Sequence, residues 1–310
     1  MRFIGFKAIT QGEDHKIKNL PCQDAVYFEQ YNNGGIAIVA DGHGSEKHFR
    51  SQYGSQIAVE IGHKVIIEFL KLLETEKKRL AEKNTVSQKS YVEDQLKQLE
   101  RSIITRWRQE VIKHYKETPL TDEENSICLK LVLDMNDEKN QVRAYGTTFI
   151  AAVLMKRIWF VIQIGDGNSV LLDKEGNTFF AVSEDENLGF GKTTSLCDSN
   201  AKDNFRRAYG SDKVKGITVA TDGVTDSFLP EAYLEFHKQL YKDLYKDPVK
   251  TKTGLEKGVV AWSLKGSRDD ASIAGIFRYD SIIEVIEVIK EKVSSVNSKS
   301  RLKEGESNGS

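Results

Sequence analysis

The 310-residue sequence predicts an α+β fold with antiparallel sheets, and three observations predict it. Short β-type runs recur along the chain, stretches of helical period separate them in blocks, and two of the runs lie close enough to form a hairpin. The strand runs fall at 3–9 (FIGFKAI), 35–40 (GIAIVA), 147–154 (TTFIAAVL), 158–164 (IWFVIQI), 217–221 (ITVAT) and 272–277 (SIAGIF), most of them ending in Gly, Asp or Asn. Only Met155, Lys156 and Arg157 join the third run to the fourth, so these two pair antiparallel rather than through a crossover. Ile57, Ile61, Val65, Phe69 and Leu73 step by four and mark one amphipathic helix; Leu229, Leu234, Tyr241, Leu244 and Tyr245 mark another.

Residues 71–117 read as a long polar helical insertion. They carry 12 Lys or Arg against 8 Asp or Glu, a surplus that suits a solvated helix face. Residues 281–293 (SIIEVIEVIKEKV) fit one side of a closing helix despite their β-branched content. The stretch 293–310 is rich in Ser and has no aromatic residue, so it cannot bury enough surface to offset its ordering entropy and is expected to be a disordered tail. No linker rich in Pro, Gly or Ser divides residues 1–292, which are therefore expected to form one domain.

Charge and cysteine usage narrow the function classes. Lys plus Arg number 45 and Asp plus Glu 46, so no global field draws the chain to nucleic acid or to an anionic membrane. Cys22, Cys128 and Cys197 are too few and too dispersed for a disulfide framework or a metal clip, which points to a reducing compartment. No stretch approaches the length of a membrane span, and the start MRFIGFKAITQGED lacks the apolar region of a signal peptide. A cytoplasmic monomer is expected.

The aspartates carry the chemistry. Asp41 follows GIAIVA in DGHGS, Asp166 follows IWFVIQI in GDGN, Asp222 follows ITVAT in DGVTD, and Asp269 with Asp270 precedes ASIAGIF. One Asp-Gly pair alone is an ordinary turn. Four strands that each bear a carboxylate at one end are another matter, because neighbouring strands would gather negative charge in one small volume, and cations are the simplest way to neutralise it. Oxygen-only ligands beside Gly, without a Cys or His cluster, suit Mn2+ or Mg2+ rather than zinc. Two such ions about 3.5–4 Å apart can share a bridging hydroxide that attacks a phosphoryl group in line. His43, two residues after Asp41, is placed to protonate the leaving oxygen.

Other chemistries fit less well. The run GFGKTTS at 189–195 looks like part of a phosphate loop, but the position of that pattern's first Gly is Glu186, whose carboxylate repels phosphate; the run reads as a flap beside the cleft. Cysteine-phosphatase chemistry needs Arg six residues after the nucleophile, and Phe28, Asp134 and Asp203 stand there instead. No HExxH zinc motif is present, and DMNDEKN at 134–140 lacks the turn Gly of a calcium loop and reads as a polar surface hairpin.

With these blocks in view, residues 1–280 resemble the metal-dependent protein phosphatases of the type 2C family, which remove phosphate from Ser and Thr. The likeness rests on an ordered set: CQDA with Asp24, the apolar strand with DGHGS, GTT at 146–148, GDG at 165–167, TDGVTD at 221–226 and SRDD at 267–270. The resemblance implies a four-layer α-β-β-α sandwich, two central antiparallel sheets flanked by helices, with a pair of metal ions in a cleft at one end. It also implies that Asp41 bridges both ions, that Gly42 lends its carbonyl, and that Asp222 and Asp269 complete one coordination sphere. His43 would be the general acid, Asp24 would support the site mostly through water, and Asp166 with Asp222 would hold a third, weaker ion. Phosphorylated proteins would be the substrates.

Three positions depart from the family pattern. Gln23 stands where Glu is frequent, and Gly167 where Ser usually follows the acid. Asn19 stands where relatives of the best-known type carry the Arg that forks onto the substrate phosphate, so His15 or Lys18 is expected to supply the phosphate-binding cation. Loss of that Arg also keeps open a protein of this fold that binds a phosphorylated partner without turning it over.

Overall fold

The computed structural model describes residues 2–81, 85–183, 193–211 and 214–279. In chain order they form β1 (Arg2–Thr10), α1 (Glu13–Ile17), β2 (Ala25–Tyr31), β3 (Gly34–Ala40), α2 (Ser51–Ala81), α3 (Thr85–Glu117), α4 (Asp122–Lys130), α5 (Glu138–Ala144), β4 (Phe149–Met155), β5 (Trp159–Ile164), β6 (Asn168–Asp173), β7 (Thr178–Phe180), α6 (Ala201–Asn204), β8 (Arg206–Gly210), β9 (Val214–Ala220), α7 (Asp222–Thr225), α8 (Pro230–Lys246), α9 (Pro248–Lys265) and β10 (Ala271–Tyr279). Two five-stranded sheets carry the fold, ordered β1-β10-β9-β6-β7 and β2-β3-β4-β5-β8, with neighbouring strands antiparallel throughout.

Alternation along β3 and β4 sets the layering. Ile36 and Ile38, with Phe149, Ala151 and Val153, turn outward to meet Ile66 of α2 and Leu96, Ile103 and Trp107 of α3. Ala37 and Val39, with Ile150, Ala152 and Leu154, turn inward and pack on Ile217, Val219, Ala274 and Ile276 of the other sheet. The far face of that sheet shows Phe6, Val170, Ile273 and Phe277 to Tyr233, Leu240 and Leu244 of α8 and to Leu255 and Val259 of α9. The result is the expected four-layer α-β-β-α sandwich, and the hairpin of β4 with β5 pairs as anticipated.

Three local readings change. The stretch 71–117 is helical, but α3 is a structural layer: Leu96, Leu99, Ile103, Trp107 and Val111 are buried, and Trp107 Nε1 donates to the Gly54 carbonyl at 3.0 Å. Many of its charges, among them Arg101, Arg106 and Lys116, lie on the opposite, exposed face, which is why composition reads as polar throughout. Residues 134–140 are a turn leading into α5 and no hairpin; Asp134 accepts from the Asn136 amide and Asp137 caps the helix by accepting from the Lys139 amide at 3.0 Å. Thr147 and Thr148 precede β4 rather than belong to it, for a reason that emerges at the site. The expected closing helix at 281–293, the tail at 293–310 and the GFGK part of the expected flap lie outside the described residues.

Truncating Trp107 to Ala removes the largest fully buried side chain of the α3 layer together with its hydrogen bond. A loss of about 3–5 kcal/mol is expected, measured as a lower midpoint in urea unfolding with an unchanged slope.

Candidate metal centre

One end of the sandwich collects the strand-end aspartates, and backbone hydrogen bonds fix each of them. Asp41 leaves β3 directly. Its amide donates to Thr148 Oγ1 at 3.0 Å, and its carbonyl accepts from the Thr148 amide and from Thr147 Oγ1, both at 2.8 Å. This explains the GTT block: the two threonines are spent on orienting Asp41 rather than on extending a strand. Thr147 is held in turn by Ser195, whose Oγ accepts from the Thr147 amide at 3.1 Å, while Thr194 Oγ1 accepts from the Gly165 amide at 3.0 Å. The TTS end of the GFGKTTS run is thus an anchor for the site.

Asp222 opens α7. The preceding Thr221 donates its amide to the Ser272 carbonyl at 3.0 Å and its hydroxyl to Asp24 Oδ2 at 2.7 Å, which ties the start of β2 to the end of β9. Gly223 has to be glycine, since a Cβ there would lie 1.8 Å from the Asp270 carbonyl oxygen. Asp166 sits in the turn after β5, where Gly165 has φ +105° and Gln163 donates to the Gly167 carbonyl. Gly167 is more than a lost hydroxyl. A Cβ at that position would approach the Ala220 carbonyl to 2.5 Å, so β9 packs directly against this turn.

The carboxylates converge here. Oxygen atoms of Asp41, Asp166 and Asp222 lie within 4.8 Å of one another, and Asp269 shares a second such group with His15 and Asp270. Asp269 stays exposed, with Oδ1 3.7 Å from His15 Nε2, yet it is close enough to raise the carboxyls of Asp41 and Asp222. Burial and then Asp222, Asp24 and Asp166 push Asp41 well above the usual carboxylate range. Burial, Asp166, Asp269 and Asp226 push Asp222 up to about 7. Asp24 is raised by its own burial. Such a cluster is unfavourable as pure charge, and it leaves oxygen atoms unspent: Asp24 Oδ1, Asp166 Oδ1 and Gln23 Oε1 are buried without a hydrogen-bond partner among the described residues. Hard divalent cations fit this donor set, and Gln23 offers a neutral oxygen where a Glu would offer a charged one.

The candidate phosphate ligands differ in how free they are. Buried His15 donates from Nδ1 to Asp270 Oδ2, 2.8 Å away, and this bond holds its pKa above the ordinary value. Burial alone would raise Asp270, but His15 and the amides of Gly12 and Gln23 hold it below the usual range. Lys18 is exposed at the C-terminal end of α1, and Asn19 beside it has φ 54°. His43 packs on His48 with ring centroids 4.8 Å apart, and burial with the charges of His48 and Lys47 lowers it to about 3, so its imidazole is neutral. The sequence reading assigns no role to Asp226, another carboxylate raised by burial and by Asp166, or to Asp270, which ties together α1, the CQDA segment and β10. The Asp-Asp doublet and the second Asp of TDGVTD were the available signals.

The family described as protein phosphatase 2C matches residues 11–257. The chain belongs to that family. No curated protein matches it in sequence. Among solved structures, the fold is similar to PppA, a key regulatory component of T6SS in Pseudomonas aeruginosa, at 15% identity and TM-score 0.53, covering 89% of this chain and 98% of that one. It is similar to the serine/threonine phosphatase Stp1 from Staphylococcus aureus at 10% identity and TM-score 0.51, covering 90% and 96%. The catalytic domain of the serine threonine protein phosphatase PstP, in complex with 2 manganese ions, matches at 14% identity and TM-score 0.50, covering 90% and 99%. At these identities the likeness establishes the protein phosphatase 2C fold.

Because burial and its acidic neighbours push Asp222 up to about 7, a cation bound at this cluster at lower pH would have to displace a proton. Mn2+ affinity is therefore expected to fall as pH drops from 8 to 6, with proton release at the acid end. Isothermal calorimetry in buffers of different ionisation enthalpy measures both; an affinity independent of pH would refute the clustering.

Proposed function

We propose that this protein hydrolyses phosphoserine and phosphothreonine esters in proteins with two divalent ions, Mn2+ or Mg2+, held by Asp41, Gly42 and Asp222 together with Asp269 and Asp24. The single observation that carries this reading is the convergence of Asp41, Asp166 and Asp222 within 4.8 Å, with buried oxygens of Asp24, Asp166 and Gln23 left without a hydrogen-bond partner among the described residues. Membership of the protein phosphatase 2C family supports it. Ions bound there supply the activated water for in-line attack on phosphorus and neutralise the carboxylates and the phosphate. Asp166, shared with Asp222, is the ligand proposed for a third, weaker ion.

The remaining work falls to this chain's side chains. Thr147, Thr148 and Thr221 hold the ligand-bearing segments in place, so little reorganisation is needed when cations arrive. His15, with Nδ1 engaged by Asp270, keeps Nε2 for a phosphate oxygen, and Lys18 adds a mobile positive charge at the rim. His43 is neutral in the free protein, so its role as acid depends on the arriving phosphate dianion, whose charge raises the pKa of an adjacent imidazole. Among the described residues no helix is long and apolar enough to cross a membrane, and the three cysteines are free, in keeping with a proposed cytoplasmic monomer.

Asn19 in place of the phosphate-forking Arg favours a second reading, a phosphatase-fold module that binds phosphoproteins without turnover. Manganese-stimulated hydrolysis of p-nitrophenyl phosphate separates the two. Asp222→Asn is expected to lower that activity by at least about a hundredfold while raising the melting temperature of the metal-free protein, because it removes one repelling charge. Full activity in this variant would sink the assignment. For His43→Ala, alkyl phosphates should slow by about a hundredfold or more and aryl phosphates change little, since a good leaving group needs no proton. Equal slowing of both would remove His43 from the acid role.

A further inference from the structure

The rim of the cleft on the His43 side carries the opposite charge from its floor. Gly146, whose Cβ would lie 2.8 Å from the His43 ring, donates its amide to the Arg143 carbonyl at 3.0 Å, and His48 Nδ1 meets the same carbonyl at 2.5 Å. Arg143 therefore stands one short turn from the cleft, and Lys47 follows His43 by four residues. Both side chains are exposed and neither forms an ion pair among the described residues. Arg108 of α3 reaches the same rim. Its Nη2 donates to the Asp198 carbonyl at 2.5 Å, its Nε is buried without a partner among the described residues, and Asp198 Oδ2 accepts from the Ser195 amide at 2.8 Å. Contact thus runs without a break from Arg108 through Asp198, Ser195 and Thr147 to Asp41.

All three cations act on one group. Burial holds the Asp198 carboxyl above its usual range although Arg108, Lys47 and Arg143 all pull it down. One carboxylate facing three cations leaves a local positive surplus, and the nearby Glu46 is already paired with Lys130 at 2.7 Å. We propose that Lys47 and Arg143, beside the half-buried Arg108, form a docking surface for an acidic stretch of the substrate polypeptide flanking the phosphorylated residue. The assignment rests on the phosphatase reading above and names the substrate class that reading leaves open. Guanidinium groups match carboxylates in planar, bidentate geometry, and exposed charges of this kind select a partner by sign and raise its rate of encounter.

Two fluorescently labelled peptides of identical length test this, one with Asp and Glu flanks and one with Asn and Gln flanks, each made with and without phosphoserine. Anisotropy with the unphosphorylated pair needs no turnover. The acidic peptide is expected to bind the full-length protein about tenfold more tightly at low salt, a preference lost near 0.5 M NaCl and lost in the double variant Lys47→Glu/Arg143→Glu. Both substituted side chains are exposed, and unchanged far-ultraviolet dichroism and melting temperature establish that the variant folds. The phosphorylated pair should show the same preference in kcat/KM. Equal affinity for the two flanks, or a preference that survives charge reversal, overturns the docking surface. Tighter binding of a single-stranded oligonucleotide than of the acidic peptide overturns it as well. Failure of the phosphatase reading appears separately, as absent p-nitrophenyl phosphate hydrolysis with the binding preference intact.

Discussion

Repulsion among carboxylates at the seam between two sheets is the constraint on which the structure depends. Asp41 comes from one sheet, Asp222 and Asp269 from the other, and Asp166 from the turn that passes between them. Their mutual repulsion is opposed by a framework that holds each segment through its backbone: Thr147 and Thr148 on Asp41, Thr221 on Asp24, Asp270 on the amides of Gly12 and Gln23. A site that stored this much like charge on flexible loops would relax by separating. Here separation would cost hydrogen bonds that sit in the interior, where an unpaired group is expensive.

Packing explains why the framework can withstand that repulsion. The inner faces of the two sheets meet largely through small and β-branched residues, with Ala37, Val39 and Ala152 set against Ile217, Val219, Ala274 and Ile276. Glycines close the remaining distance. Gly223 lets α7 lie on the Asp270 carbonyl, and Gly167 lets the Asp166 turn lie on the Ala220 carbonyl. Both contacts bring acid-bearing segments nearer than any side chain would permit.

Much of this was legible in the sequence. Uninterrupted apolar runs such as GIAIVA announced the central strands, and an aspartate at the end of each announced the cluster. The less visible elements were those whose stability comes from partners elsewhere. β8 begins with two arginines and has no strand pattern of its own, yet Arg207 is matched by Glu100 and Glu93 of α3, and Arg206 covers the Gly165 carbonyl. α3 looked solvated because a helix that buries one stripe still shows mostly charge in its composition, and Trp107 was the residue that betrayed the stripe. The approach of Asp269 to His15 could not be read from spacing, because it depends on where α1 packs against the loop before β10.

The arginine pair that opens β8 has a further consequence. This strand is the outermost of its sheet, the position where exposed backbone groups invite another chain to add itself. Two bulky cations at that border, each tied by hydrogen bonds to a different neighbour, make it a poor template for a foreign strand. The same residues that brace the interior against α3 and the Asp166 turn thereby discourage self-association through the sheet margin.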